Sequence, residues 1–148
     1  MSTTSLPTRR TTNRVLWTVQ GLLAALYVFT GVMKLVMPAA AMQAPGPVQL
    51  PVLFLRFIGL CELVGAIGLI LPSLLRIRPA LTPIAASCLA IIMIGATTVT
   101  LLGGMGATAA LPFLAGVLDA YVAYGRSRLV PINAKLSVPR ASQSVRAA

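Results

Sequence analysis

The chain has 148 residues, of which 57% are apolar and 9% charged, with a mean hydropathy of +0.91 and a formal net charge of +10. A soluble domain with a solvated surface carries far more charge than this, so the composition calls for lipid. With no histidine and two cysteines in all, the chain cannot by itself build the common haem, di-iron or zinc constellations, a Ser-His-Asp set or a Cys-x-x-Cys exchange motif, so no catalytic residue and no metal site is assigned.

Residues 1–14 form a basic segment before the first apolar run, residues 15–37. That run resembles a secretory signal followed by small residues, but a signal core is typically about 7–15 residues long. This one is longer and contains Lys34, so an uncleaved helix is expected. Crossing a hydrocarbon core of ~30 Å takes roughly 20 apolar residues, and three more runs approach that length: residues 51–72, 79–102 and 108–125. Each ends on helix-stopping punctuation: Pro38, Pro72-Ser73, Gly103-Gly104 and Gly125. Short connections predict antiparallel neighbours, hence an all-α, four-helix membrane bundle over residues 15–126. The uncharged, Pro-rich residues 38–51 suit a rigid cap over one end. The basic residues 127–148, interrupted by Pro131 and Pro139, are expected to be a disordered tail.

The cations are sorted along the chain. Arg9, Arg10 and Arg14 precede the first run, Arg76 and Arg78 lie between the second and third, and Arg126, Arg128, Lys135, Arg140 and Arg146 follow the fourth, while the other two loops carry none. This alternation obeys the positive-inside rule and puts both termini on the cytoplasmic side of a plasma (inner) membrane. The charge is therefore read as a topology signal with attraction to anionic lipid, and not as a nucleic-acid surface. Trp17, Tyr121 and Tyr124 sit where interfacial anchors belong.

Four ionisable residues fall inside the runs: Lys34, Arg56, Glu62 and Asp119. Charge within a bilayer is expensive, so such residues are expected to face the bundle interior and find partners. Helical spacing places Gln20, Tyr27, Gly31 and Lys34 on one stripe of the first helix, and Gly59, Glu62 and Gly65 or Ala66 on one stripe of the second. Thr82, Ala86, Met93, Thr97 and Thr100 align on the third, and Pro112, Ala115 or Gly116, Asp119 and Ala123 on the fourth. Gly31, Gly59 and Gly65 offer close approach of backbones. Counting ~1.5 Å per residue puts Glu62 and Asp119 at mid-bilayer, with Lys34 and Arg56 nearer one surface. The expected contact is Lys34 with Glu62, its stem reaching inward as the first helix continues past Pro38, and Asp119 coupled to the pair or held protonated. Arg56 is expected to snorkel outward, or to join Lys34, Glu62, Asp119, Tyr27 and Gln20 around one polar pocket. Cys61 and Cys88 are expected to be packing residues.

The segments "FTGVMKLV" (residues 29–36), "CELVGAIGLILP" (61–72) and "IIMIGATT" (91–98) together resemble the DoxX-like family of small membrane proteins. The resemblance extends over most of residues 14–126 and maps the family's recurrent polar positions onto Gly31, Lys34, Glu62 and Gly65. Many members have a histidine near the end of the third helix, where this chain has Thr100. The resemblance implies kinship with the small subunit of a thiosulfate:quinone oxidoreductase and with membrane redox and thiol-stress complexes. A related animal branch includes a chaperone for receptor assembly. The leading expectation is thus a non-catalytic accessory subunit of a quinone- or thiol-linked membrane complex, with an oxidoreductase partner, no covalently bound cofactor and a quinone as a candidate pocket ligand. A membrane chaperone or assembly scaffold, and a small-molecule or proton pathway, are the alternatives. The small residues at 65–68 and 85–90 suit either a homo-oligomer or contacts within the chain.

Overall fold

In a computed structural model, residues 6–42, 48–75, 78 and 80–130 are described, with backbone only for residues 6–9. The described residues are helical and contain no strand: α1 (Leu6–Val36), the short α2 (Ala39–Met42), α3 (Val52–Leu75), α4 (Leu81–Leu102) and α5 (Gly106–Tyr124), which runs into a π-helical turn (Gly125–Leu129). Four of these helices are long and apolar enough to cross a membrane. The start of α1, the α3–α4 turn and the π-helical turn share what is here called the terminal end. The opposite, loop end carries the α1–α3 and α4–α5 connections.

Several helix limits differ from those read off hydropathy. α1 begins well before residue 15, because a helix does not stop where it leaves lipid; Pro7 lies in its first turn, where a missing N–H goes unneeded. α3 passes through Pro72 to Leu75. A proline so near the helix end forfeits one backbone bond, and Ser73 just beyond it is held by the Thr82 hydroxyl at 2.8 Å across the α3–α4 turn. The first helix does not continue past Pro38. Ala41 and Met42 instead bond back to the Pro38 carbonyl at 3.0 and 3.2 Å, making α2 a separate turn. Residues 43–47 of the expected cap and 131–148 of the expected tail lie outside the described residues.

At the α4–α5 turn, Gly104 takes φ +77°, a left-handed conformation that glycine adopts without penalty. That geometry lets Gly103, Gly104 and Met105 return their N–H groups to the last carbonyls of α4. Arg78 at φ +46° turns the chain between α3 and α4.

The helices pack in the cyclic order α1, α3, α4, α5, an up-down-up-down bundle. The closest pairs are α1 with α3 and α4 with α5, so the molecule is two helical hairpins laid side by side. Small residues set the spacing within and between them. A Cβ on Gly31 would lie 2.8 Å from the Gly59 carbonyl, and one on Gly59 would lie 3.0 Å from the Gly31 carbonyl. On α3, Gly65 packs against Leu89, and Gly68 against Ala85, both on α4. Gly116 meets Met93, and Gly125 receives Leu16. The core comprises Leu16, Leu23, Tyr27, Ala66, Leu69, Ala86, Leu89, Met93, Ala115 and Val122. Most other large apolar side chains face outward, as a lipid-embedded helix requires.

Candidate functional site: a layered polar interior under an apolar cavity

The polar interior is organised by one face of α1, on which Asn13, Gln20, Tyr27, Thr30 and Lys34 recur at helical spacing. Thr30 and Lys34 share Glu62, Tyr27 meets Asp119, and Asn13 and Gln20 share Arg126, so the polar groups form three layers rather than one cluster.

The layer nearest the loop end is the ion pair. Lys34 Nζ donates to Glu62 Oε1 and Oε2, both at 2.8 Å, and Thr30 Oγ1 donates to Oε2 at 3.0 Å. Side-chain exposure is 30% for Lys34 and 2% for Glu62. The geometry follows from the crossing of α1 and α3 at Gly31 and Gly59. Lys34 and Glu62 each lie three residues beyond that crossing on antiparallel helices. Side chains on a helix lean toward its N-terminus, so both lean back toward the crossing and meet. An ideal Cβ on Gly59 would lie 2.9 Å from the Lys34 Cβ, so the absence of a side chain there makes room for the lysine stem.

In the next layer the Tyr27 hydroxyl donates to Asp119 Oδ2. Both residues are fully buried, and Asp119 Oδ1 has no hydrogen-bond partner. Asp119 was expected to be coupled to the Lys34–Glu62 pair or held protonated; among the described residues its hydrogen-bond partner is Tyr27, on a separate layer.

The layer at the terminal end centres on Arg126, which the sequence places among the flanking loop cations. The structure corrects this: Arg126 is 3% exposed. Its Nε donates to Gln20 Oε1 and its Nη1 to Asn13 Oδ1, each at 2.8 Å, while Nη2 is buried without a hydrogen-bond partner among the described residues. Its guanidinium lies 5.2 Å from the centre of the Trp17 ring, so Trp17 serves as the platform for a buried cation as well as lying near the helix boundary. Gln20 Nε2 donates to the Leu69 carbonyl at 2.6 Å and ties α1 to α3. Between this layer and the Tyr27–Asp119 layer lie the fully buried Leu23 on α1 and Val122 on α5.

Above the Tyr27–Asp119 layer, toward the loop end, the hairpins enclose a cavity of about 570 Å³. Tyr27, Thr30, Lys34 and Glu62 supply its polar side, and Phe54, Phe57, Ile91, Ile92 and Leu111 are among its apolar walls. Of the residues expected around one pocket, the structure therefore assembles Lys34, Glu62 and Tyr27. Gln20 and Asp119 belong to deeper layers and do not line the cavity. Arg56 is exposed and lines a shallow outer groove with Leu35, Leu53 and Leu60. Gly31 and Gly59 set the α1–α3 distance, whereas Gly65 serves the α3–α4 contact. Cys61 lines the cavity and Cys88 is exposed.

Sequence reading missed Thr30, Asn13 and Arg126. Thr30 and Asn13 continue the polar stripe already marked by Gln20, Tyr27 and Lys34, and Arg126 lies seven residues after Asp119, on the same helical face. No group of histidine, cysteine or carboxylate side chains suited to a metal ion occurs among the described residues.

Neither a curated protein nor a solved structure matches this chain. The model of the DoxX-like family matches residues 18–122, a stretch that takes in most of all four spanning helices, and the chain is accordingly a multi-pass membrane protein that belongs to the DoxX-like family.

Proposed function

We propose that this protein is a non-catalytic accessory subunit of a membrane redox complex, quinone- or thiol-linked, that offers its partner oxidoreductase a pocket with Lys34 and Glu62 on its polar side. In this reading it lies in the plasma (inner) membrane with both termini cytoplasmic, the side favoured by its sorted cations. The observation that carries the proposal is the cavity: a roomy apolar space at loop-end depth with a few polar groups, chiefly Tyr27, Thr30, Lys34 and Glu62, the usual form of a small-molecule site. A quinone is one candidate for that space. The chain has no histidine and holds no evident redox chemistry of its own, so electrons would pass through a partner. Membership of the DoxX-like family is consistent with this role.

The alternatives fit the geometry less well. An assembly scaffold would present its small-residue faces to a client helix, yet Gly31, Gly59, Gly65, Gly68 and Gly116 are occupied within the chain. Of the small residues that also suit a homo-oligomer, Gly65, Gly68 and Ala85 make contacts within the chain. A proton pathway along the bundle meets the buried apolar pair Leu23 and Val122 between two polar layers.

The test is mass spectrometry of proteins that co-purify with the chain from gently solubilised native membranes, beside a Glu62→Gln control. A stoichiometric oxidoreductase that is lost in the variant supports the proposal. A client membrane protein in its place, or no partner, refutes it.

A further inference from the structure

We infer that the cavity fills sideways from the bilayer, through the gap between α3 and α4, and takes a neutral lipid-soluble molecule whose head carries a hydrogen-bond-accepting carbonyl. The inference rests on reading this cavity as the ligand site, but not on the identity of any partner protein.

The route follows from where the hairpins touch. α3 and α4 are in contact at Gly65 with Leu89, at Gly68 with Ala85 and at Ser73 with Thr82, all toward the terminal end. Beyond Gly65, residues of both helices line the cavity. Phe57 on α3 and Ile91 on α4 line it and are nevertheless 60% and 69% exposed, which places them on its rim, as it does Leu111 on α5. Gly95, one turn further along α4, also lines it, and a Cβ placed there would meet no atom within 4 Å. The opening therefore faces the hydrocarbon region, where a lipid-soluble molecule already resides.

Charge selects among such molecules. Among the described residues, Lys34 and Glu62 are the only Lys, Arg, Asp or Glu residues that line the cavity, and they neutralise one another. A carboxylate ligand would bring a second negative charge beside Glu62 with no free cation to meet it, and an amine ligand would do the converse beside Lys34. A neutral head avoids both penalties.

Hydrogen-bond donors select further. The Thr30 hydroxyl is spent on Glu62, the Tyr27 hydroxyl on Asp119 and the Thr100 hydroxyl on the Ala96 carbonyl. An ammonium has three N–H groups, and the Lys34 ammonium uses two on the Glu62 oxygens. The weak Cys61 thiol aside, its third N–H is the side-chain donor left to a ligand among the described residues that line the cavity, so the complementary group is an acceptor such as a carbonyl. The rest of the ligand lies against Phe54, Phe57, Ile91 and Leu111.

The test compares two photoreactive probes of equal chain length on the purified full chain in nanodiscs, a neutral long-chain ketone and a fatty acid, each carrying a diazirine. Cross-linked residues are mapped by mass spectrometry. The ketone is expected to label residues around Phe57, Cys61 and Gly95 at least about five-fold more than the fatty acid does, and Lys34→Met, which removes the donor, to lose most of the ketone labelling. Gly95→Trp, placed in the opening, is expected to suppress ketone labelling; Ile91→Trp on the same rim replaces it if the first variant does not fold. Equal or greater labelling by the fatty acid overturns the charge argument, and undiminished ketone labelling in a folded rim variant overturns the route. If an oxidoreductase co-purifies but the ketone does not label the cavity, the inference falls while the accessory role stands. If labelling follows the expected pattern and no oxidoreductase is found, the accessory role falls and the ligand site remains.

Discussion

Lys34 and Glu62 meet because each lies three residues beyond the glycine at which its helix crosses the other, Gly31 on α1 and Gly59 on α3. The pair is thus a product of backbone proximity. The same close approach that costs both helices a side chain gives the lysine stem a channel to the carboxylate, and Thr30 completes the shell around it.

Removing one member of this pair strands the other. Glu62→Gln leaves an ammonium without its counter-charge, and Lys34→Met leaves a buried carboxylate with Thr30 alone. Each single change is expected to destabilise the protein by about 1–3 kcal/mol, with Lys34→Met the worse because Glu62 is the more buried partner. The double variant should lose less than the sum, by about 1 kcal/mol or more. Unfolding titrations in mixed detergent micelles measure all four proteins, and additive losses would show the contact to be energetically idle.

Glycine-to-alanine changes should split by position. In an open helical site the exchange normally gains up to about 1 kcal/mol, and Gly21, with nothing within 4 Å of its would-be Cβ, is expected to show that gain or no change. Gly59→Ala places a methyl 2.9 Å from the Lys34 Cβ and 3.0 Å from the Gly31 carbonyl. It should cost about 1–3 kcal/mol by forcing the helices apart. Thermal unfolding of the two variants in one detergent compares the signs directly.

Tyr27 and Asp119 form a closed pair in the core. Tyr27→Phe leaves both carboxyl oxygens of Asp119 without a partner and is expected to destabilise by about 1–3 kcal/mol. Adding Asp119→Leu removes the orphaned group, and stability should recover in part. A double variant weaker than either single one would mean that Asp119 has a further partner worth more than the tyrosine.

Arg126 depends on the shape of its head as well as on its charge. Lysine cannot reproduce the separate Nε and Nη1 bonds to Gln20 and Asn13 or the flat face over Trp17. Arg126→Lys is therefore expected to lose about 1–3 kcal/mol, close to the loss in Arg126→Gln. Near-native unfolding of the lysine variant, with the glutamine variant damaged, would show that charge alone holds this layer.

Class, helix count and the buried faces were legible in the sequence because a membrane helix must declare itself by length and hydropathy, and its inner face by period. Gln20, Tyr27, Gly31 and Lys34 stand on the inner face of α1 as their spacing requires. The partners of those residues were less legible, since spacing within one helix fixes direction and leaves open which layer of a neighbouring helix lies opposite. Glu62 and Asp119 occupy similar depths in their own helices, yet one meets Lys34 and the other Tyr27. Arg126 was misplaced for a different reason: hydropathy ends a span at the first arginine, whereas α5 and its π-helical turn carry that residue inward against Gln20 and Asn13.

The division into two hairpins also has a mechanical side. The covalent link between them, the α3–α4 turn, is at the terminal end, as are the bonds from Arg126 to Gln20 and Asn13 and from Ser73 to Thr82, with Tyr27–Asp119 the tie nearest the loop end. The Lys34–Glu62 pair lies within one hairpin and does not hold the two together. Among the described residues, the hydrogen-bonded ties between the hairpins thus gather toward one end, as the rivet does in a pair of tweezers. The cavity lies between the arms on the side away from those ties.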